Sequence, residues 1–115
     1  MRSNEKLSPR LLNFSVQVLK FLGEVRTYRE TDVIKYQLSR SATSIGANYE
    51  ESQSSSKPEF KLRIRICIRE ALETKYWPTI CKELKIGDEV LVSKLIDENI
   101  QLVKILRAIY KKTSN

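Results

Sequence analysis

Apolar residues recur along most of the chain at intervals of three and four positions, which is the period of an amphipathic α-helix. Only three Gly and three Pro interrupt the pattern, and the sequence predicts no strand. The sequence therefore predicts an all-α protein with one domain over residues 1–115 and four helices over residues 8–26, 32–52, 58–86 and 88–112.

The predicted helix ends depend on residues with known terminal preferences. Pro is favoured in the first turn because it lacks an N–H that would be unpaired there, and short polar side chains cap the preceding position. Gly87 stands where a left-handed residue would end the third helix. The predicted starting residues are Ser8 with Pro9 for the first helix, Thr31 or Asp32 for the second, Pro58 for the third and Asp88 for the fourth.

Short connections between the helices favour antiparallel neighbours, and so an up-down-up-down four-helix bundle. In the hairpin of the second and third helices, residues at equal distances from the turn should face each other. This register places Arg40 opposite Glu70 or Glu73, and Asn48 near Leu62. An arginine–carboxylate pair at this point would hold the two helices in register.

The third helix carries two apolar stripes on roughly opposite sides, so it needs two surfaces to bury against. The first stripe, predicted to face the core, consists of Phe60, Ile64, Cys67, Ile68 and Ala71. The second consists of Leu62, Ile66, Trp77, Ile80 and Leu84. Because monomers rarely expose large apolar patches, this second stripe predicts an oligomer interface. The alternative is that the N-terminal segment covers it.

The positive net charge of the chain indicates a class of binding partner. Lys and Arg total 21 against 14 Asp and Glu, a formal net charge of +7 that suits nucleic acid or an acidic protein surface. The same surplus could serve solubility alone, and basic stripes are often ordinary solvated helix faces. The candidate phosphate-binding residues recur at helical spacing on the last two helices: Lys61, Arg63, Arg65, Arg69, Lys104, Arg107 and Lys111.

The sequence lacks the combinations of residues that are typical of enzyme active sites. There is no histidine, the commonest general base and metal ligand, and the isolated glycines form no phosphate loop. Cys67 and Cys81 lie on one predicted helix about 21 Å apart, too far for a disulfide. The prediction is a protein without enzymatic activity, cofactor or metal. A carboxylate metal site would have to overcome neighbouring cations; its candidates are Glu50, Glu51, Glu70 and Glu73.

No targeting or membrane signal is visible. Residues 1–10 are polar and lack the apolar stretch of a signal peptide. No apolar run approaches the ~20 residues that span a bilayer. With its thiols interpreted as reduced, the protein is predicted to be cytoplasmic, with no membrane partner.

Two blocks in the predicted hairpin carry a recognisable pattern: QLSRSATSIGANYEE at residues 37–51 and EALETKYW at residues 70–77, with Phe60 between them. The pattern resembles the bacterial four-helix-bundle proteins encoded within intervening sequences of 23S ribosomal RNA genes, clearly over residues 33–84. It is also similar to the accessory proteins of diversity-generating retroelements. The resemblance implies a ring, with a homopentamer expected, and for the accessory proteins binding to nucleic acid and a partner reverse transcriptase.

The motif residues have structural and functional interpretations. They are Arg40, Ser44, Asn48, Glu70, Glu73 and Trp77. The carboxylates either pair with Arg40 or include a catalytic group, and Ser44 with Asn48 either hydrogen-bond within the hairpin or line a site. Trp77 is favoured as a core or interface anchor over a base-stacking residue. Pro78 departs from the aliphatic residue usual in the family, and predicts a kink or break between Thr74 and Pro78.

These observations predict a non-enzymatic accessory protein that binds RNA or DNA phosphates on a basic, oligomeric platform. The alternative is a protein–protein adaptor that docks an acidic partner and has no nucleic-acid role. Salt-sensitive binding to unrelated RNA and DNA would separate the two, because phosphate contacts release counterions.

Overall fold

The computed structural model describes residues 6–113, which form four α-helices and no strand. The predicted all-α class is confirmed. The observed bounds differ from the predicted ones by at most three residues, as is usual at helix ends. The helices are α1 (Leu7–Glu24), α2 (Arg29–Ser52), α3 (Lys57–Leu84) and α4 (Glu89–Thr113).

Neighbouring helices are antiparallel, which gives the predicted up-down-up-down order. The direction follows from pairs of contacts that run oppositely along the two helices: Arg40–Glu73 and Asn48–Arg63 for α2 and α3, Lys61–Tyr110 and Ala71–Asn99 for α3 and α4. The bundle measures 45 × 24 × 20 Å. Its most extensive contact is between α2 and α3, and the contact between α1 and α4 is much smaller.

One core runs through the bundle, and the first stripe of α3 faces it as predicted. Ile64, Cys67 and Ala71 are fully buried there, and Phe60 and Ile68 are half-buried against it. The apolar residues of α1 lie on two faces: Leu11, Phe14 and Val18 are buried, whereas Leu12 and Leu19 are exposed. Each residue turns the helix by about 100°, so two adjacent leucines cannot share one face.

The predicted N-caps of the first two helices are wrong. Lys6 precedes α1, and the Ser8 hydroxyl donates a hydrogen bond to the carboxylate of Glu50 on α2. α2 begins at Arg29, so Thr31 and Asp32 lie inside its first turn. The Thr31 hydroxyl still satisfies the helix start, because it accepts the backbone N–H of Tyr28 at 2.9 Å.

The starts of α3 and α4 agree better with local sequence. Ser56 caps α3 in a reciprocal capping box with Glu59, and Pro58 lies in the first turn. The Asp88 carboxylate accepts the backbone N–H groups of Val90 at 2.8 Å and Leu91 at 3.2 Å. Asp88 was predicted at the start of α4, whereas Ser56 was not identified as the cap of α3 although it lies directly before the predicted start.

The end of α3 also differs from the prediction. The left-handed C-cap is Lys85, with φ 56°, and Gly87 lies two residues beyond it with φ 77°. The helix therefore ends earlier than predicted, and Gly87 shapes the connection to α4. A Cβ on Gly87 would lie 2.6 Å from the Phe21 ring, so this position has no space for a side chain.

Pro78 does not break α3, which runs without interruption to Leu84. The predicted break is wrong, whereas a change of helix direction at this point stays a prediction. Pro78 is buried, and the Thr74 hydroxyl one turn earlier bonds the Glu70 carbonyl at 2.7 Å and the Ser41 hydroxyl at 2.9 Å. Packing of α3 against its neighbours outweighs the ~3 kcal/mol cost of proline inside a helix.

Candidate nucleic-acid interface

The α3–α4 pairing brings the two predicted basic stripes onto one surface. The Asn99 amide donates to the Ala71 carbonyl at 2.8 Å, and the Lys61 ammonium lies 5.4 Å from the centre of the Tyr110 ring. This antiparallel register sets Arg65 level with the turn that contains Arg107. The combined surface, here named the basic face, consists of Lys61, Arg65, Arg69, Lys104, Arg107 and Lys111.

The cations of the basic face are available to a partner. All are exposed except Lys61, which is half-buried with its ammonium against an aromatic ring. Within residues 6–113 none of the six forms an ion pair with a carboxylate. The acids of α4 stand in its first half, level with the far end of α3, and are Glu89, Asp97 and Glu98. Positive charge is therefore concentrated at one end of the α3–α4 pair.

Arg63 lies away from the basic face. Its guanidinium points toward α2, where it contacts the Glu51 carboxylate at 2.9 Å and the Asn48 side-chain oxygen at 3.0 Å. Its charge is already paired. Arg63 therefore holds the hairpin together, and it was grouped with the other cations because spacing alone does not reveal cross-helix partners.

The motif residues form a hydrogen-bonded cluster along the exposed edge of the hairpin. Arg40 contacts Glu73 at 2.5 Å and Glu70 at 3.4 Å, and the Trp77 indole N–H donates to Glu73 at 3.4 Å. The guanidinium holds the pKa of Glu73 below its ordinary value, and the same hydrogen bond raises the pKa of Arg40. A catalytic carboxylic acid activated by burial would have the opposite shift.

Ser44 and Asn48 belong to the same hairpin edge. The Asn48 amide donates to the Ser44 carbonyl at 2.9 Å and to its hydroxyl at 3.0 Å, while its oxygen accepts from Arg63. Both groups of the amide are therefore satisfied inside the protein. This arrangement favours the structural interpretation of the pair over a ligand site.

Comparison with known proteins identifies the family of this chain. Residues 8–108 match the family model described as 23S rRNA-intervening sequence protein. The chain belongs to this family. A similar solved structure is a crystal structure of a protein with unknown function from the S23 ribosomal protein family of Bacteroides thetaiotaomicron VPI-5482, at 1.70 Å resolution. It is 29% identical, covers 90% of this chain and 97% of that chain, and has a TM-score of 0.79. A comparison with curated proteins gives no match.

In this member of the 23S rRNA-intervening sequence family, the second stripe of α3 is only partly exposed. Leu62 and Leu84 are 57% and 62% exposed, at opposite ends of the helix. Ile66 is half-buried, and Trp77 and Ile80 pack against the core. We name the five residues of this stripe the α3 ridge. Its two end residues are exposed, and the residues between them are partly buried.

A second apolar surface, on α1 and α2, was missed by sequence reasoning. Leu12, Val16 and Leu19 line one wall of a groove of about 610 Å³, and the small residues Gly46 and Ala47 line the other. We name it the α1–α2 groove. The sequence does contain a pattern that predicts this surface, because these three residues follow each other at i, i+4 and i+7 on the side of α1 that turns away from the core.

Sites for metal, redox or membrane chemistry are not evident in the described part of this family member. Residues 6–113 contain no cluster of three or more His, Cys, Asp or Glu side chains that could hold a metal. Burial raises the pKa of the Cys67 thiol to about 12 and that of Cys81 to about 11. None of the helices is long and apolar enough to cross a membrane, again within these residues.

Proposed function

We propose that this protein is a non-enzymatic accessory protein that binds RNA or DNA through the basic face. The observation that carries the proposal is the convergence of six cations from α3 and α4 on one surface, without ion-pair partners among the described residues. Such a surface neutralises phosphates with steep salt dependence and little choice of sequence. The family description points to an RNA-related setting.

The binding test compares two triple variants of equal charge. Arg65→Gln/Arg69→Gln/Arg107→Gln removes three cations of the basic face, whereas Lys20→Gln/Arg29→Gln/Lys94→Gln removes three exposed cations elsewhere. Fluorescence anisotropy with a mixed-sequence RNA would be recorded over a range of salt concentrations. The slope of log affinity against log salt should fall by about three in the first variant and stay near the native value in the second.

Equal losses in the two variants would mean that net charge, and not the basic face, governs binding. No binding to RNA or DNA even at low salt would overturn the proposal and favour the adaptor that docks an acidic protein.

We further propose that the platform is a ring-shaped homo-oligomer. The α1–α2 groove and the α3 ridge of Leu62 and Leu84 are different apolar surfaces, so contact between them would be head-to-tail. Head-to-tail contacts generate closed rings or open filaments. The number five comes from the family resemblance, as does a similarity to retroelement accessory proteins, for which a reverse transcriptase would be the partner. A cytoplasmic location is part of the same proposal.

Light scattering tests the ring. The expected mass is several times the 13.4 kDa of one chain and is stable in high salt, because the proposed contact is apolar. Leu12→Asn/Leu19→Asn, in the α1–α2 groove, should reduce the mass to that of one chain. Val90→Asn alters an equally exposed apolar residue on α4 and should leave the mass unchanged. A native protein that is monomeric in all conditions would contradict the ring.

A further inference from the structure

An exposed tyrosine extends the line of arginines on α3. Tyr76 is 60% exposed, and Leu72 beside it is also exposed. Arg65, Arg69, Leu72 and Tyr76 follow at intervals of four, three and four residues, so they form one row on the outer surface of the helix. The row borders the α3 ridge: Leu62 lies at its edge, one turn before Arg65, and Ile66 lies about a quarter-turn away.

The Tyr76 ring is held in place from one side. Its centre lies 5.2 Å from the centre of the Trp77 ring, and the ring planes meet edge to face at 80°. Trp77 is itself fixed by its hydrogen bond to Glu73, which Arg40 holds. A positioned ring that remains mostly exposed loses little conformational freedom when a flat group stacks on it.

We propose that the basic face is selective for single-stranded nucleic acid, with Tyr76 as the residue on which a base stacks. This inference rests on the proposed function, because Arg65 and Arg69 must first hold the backbone phosphates. Arg69 and Tyr76 are separated by about 10 Å along the helix axis, so neighbouring nucleotides of one strand can reach both. Stacked bases in a duplex have their faces covered and offer Tyr76 nothing to bind.

The test uses three labelled probes of the same length: a mixed-sequence RNA strand, its perfect duplex, and a strand with the same sugar-phosphate backbone but no bases. Affinities are measured by fluorescence anisotropy at one low salt concentration. The native protein should bind the single strand more tightly than either other probe. Tyr76→Ala should weaken binding to the single strand by roughly 5- to 100-fold. Tyr76→Phe should keep the native affinity, because stacking needs the ring alone.

Tyr36→Ala is the matched control, since Tyr36 is equally exposed but lies on α2, away from the basic face. It should leave all three affinities unchanged. Tyr76→Ala should also leave the affinities for the duplex and the base-free strand unchanged, because those probes contact only cations.

The outcomes separate this inference from the proposed function. Equal affinity for the three probes, unaffected by Tyr76→Ala, would overturn strand selectivity and leave phosphate binding standing. Equal losses on every probe, or a change of oligomer mass in Tyr76→Ala, would assign Tyr76 a structural role and also overturn it. No binding of any probe would overturn both.

Discussion

Asn99 is a fully buried polar residue of α4. Its amide donates to the Ala71 carbonyl, and its side-chain oxygen has no hydrogen-bond partner in the described structure. An orphaned buried acceptor costs about 1–3 kcal/mol, while the bond it accompanies contributes about 1 kcal/mol. The residue therefore costs stability but links α4 to α3 at one register, a role known for single buried asparagines in coiled coils.

Substitution of Asn99 tests this balance. Asn99→Val should raise the free energy of unfolding by about 1 kcal/mol, because the orphaned oxygen is removed and the Ala71 carbonyl keeps its place in the helix. Asn99→Asp should lower it by about 3 kcal/mol, because it buries a charge without a partner. Urea unfolding at neutral pH measures both. A loss in Asn99→Val as large as that in Asn99→Asp would mean that the amide bond outweighs the orphaned oxygen.

The two thiols predict how stability depends on alkaline pH. Burial raises the pKa of Cys67 to about 12 and that of Cys81 to about 11, from an ordinary 9.0. Because the pKa is higher in the folded state, the stabilisation is complete below pH 9 and is lost as the pH rises toward the folded values. The urea midpoint should fall between pH 9 and 11, and it should fall less in Cys67→Ala/Cys81→Ala.

Iodoacetamide gives an independent check on the thiols. At pH 8.5 native protein should be alkylated only as fast as it unfolds, whereas protein in urea should react at once. Rapid alkylation of native protein would contradict the buried positions of Cys67 and Cys81.

At the scale of single elements, the connection between α3 and α4 requires glycine at position 87. Gly87→Ala should lower the free energy of unfolding by about 1–3 kcal/mol, because φ is positive and the new Cβ would meet the Phe21 ring. Gly23→Ala is the control: Gly23 lies in the last turn of α1 with nothing within 4 Å of a new Cβ. It should raise stability by up to ~1 kcal/mol.

Equal effects of Gly87→Ala and Gly23→Ala in urea unfolding would mean that the α3–α4 connection relaxes around a side chain. The comparison separates the backbone requirement at Gly87 from the general helix preference of alanine, since both variants add the same methyl group.

Helix starts show where a local sequence pattern predicts the structure and where it does not. Pro58 and Glu59 predict the start of α3 to within one residue, and the cap itself, Ser56 with Glu59, also lies within one turn. Ser8 has the same chemistry, but Glu50 of α2 accepts its hydroxyl instead. The difference lies in a neighbour 42 residues away, which no local pattern contains.

At the scale of the whole molecule, the helices differ in how extensively they contact one another, which predicts that their backbone amides are unequally protected against hydrogen exchange. The helices α2 and α3 have the most extensive contacts in the bundle, and α1 has the smallest contact with its neighbours. Amide hydrogen exchange should therefore be slowest in α2 and α3 and fastest in α1, because local opening follows the buried contacts that each helix gives up.

The exchange experiment is best made on Leu12→Asn/Leu19→Asn, so that the proposed contacts between subunits add no protection to α1. Exchange in α1 as slow as in α3 would contradict the ranking and would mean that the bundle opens only as a unit.

The sequence by itself determined the helical class, the number of helices and their antiparallel order, because helical period, capping and short connections are properties of residues near one another. It also indicated Arg40 with Glu70 and Glu73, since a hairpin of known turn has a predictable register. Only the tertiary structure decided that Pro78 leaves α3 unbroken, that Arg63 is paired with Glu51, and that the two basic stripes share a face. Those facts depend on how far one helix is rotated against the next, which is set by packing across the whole core.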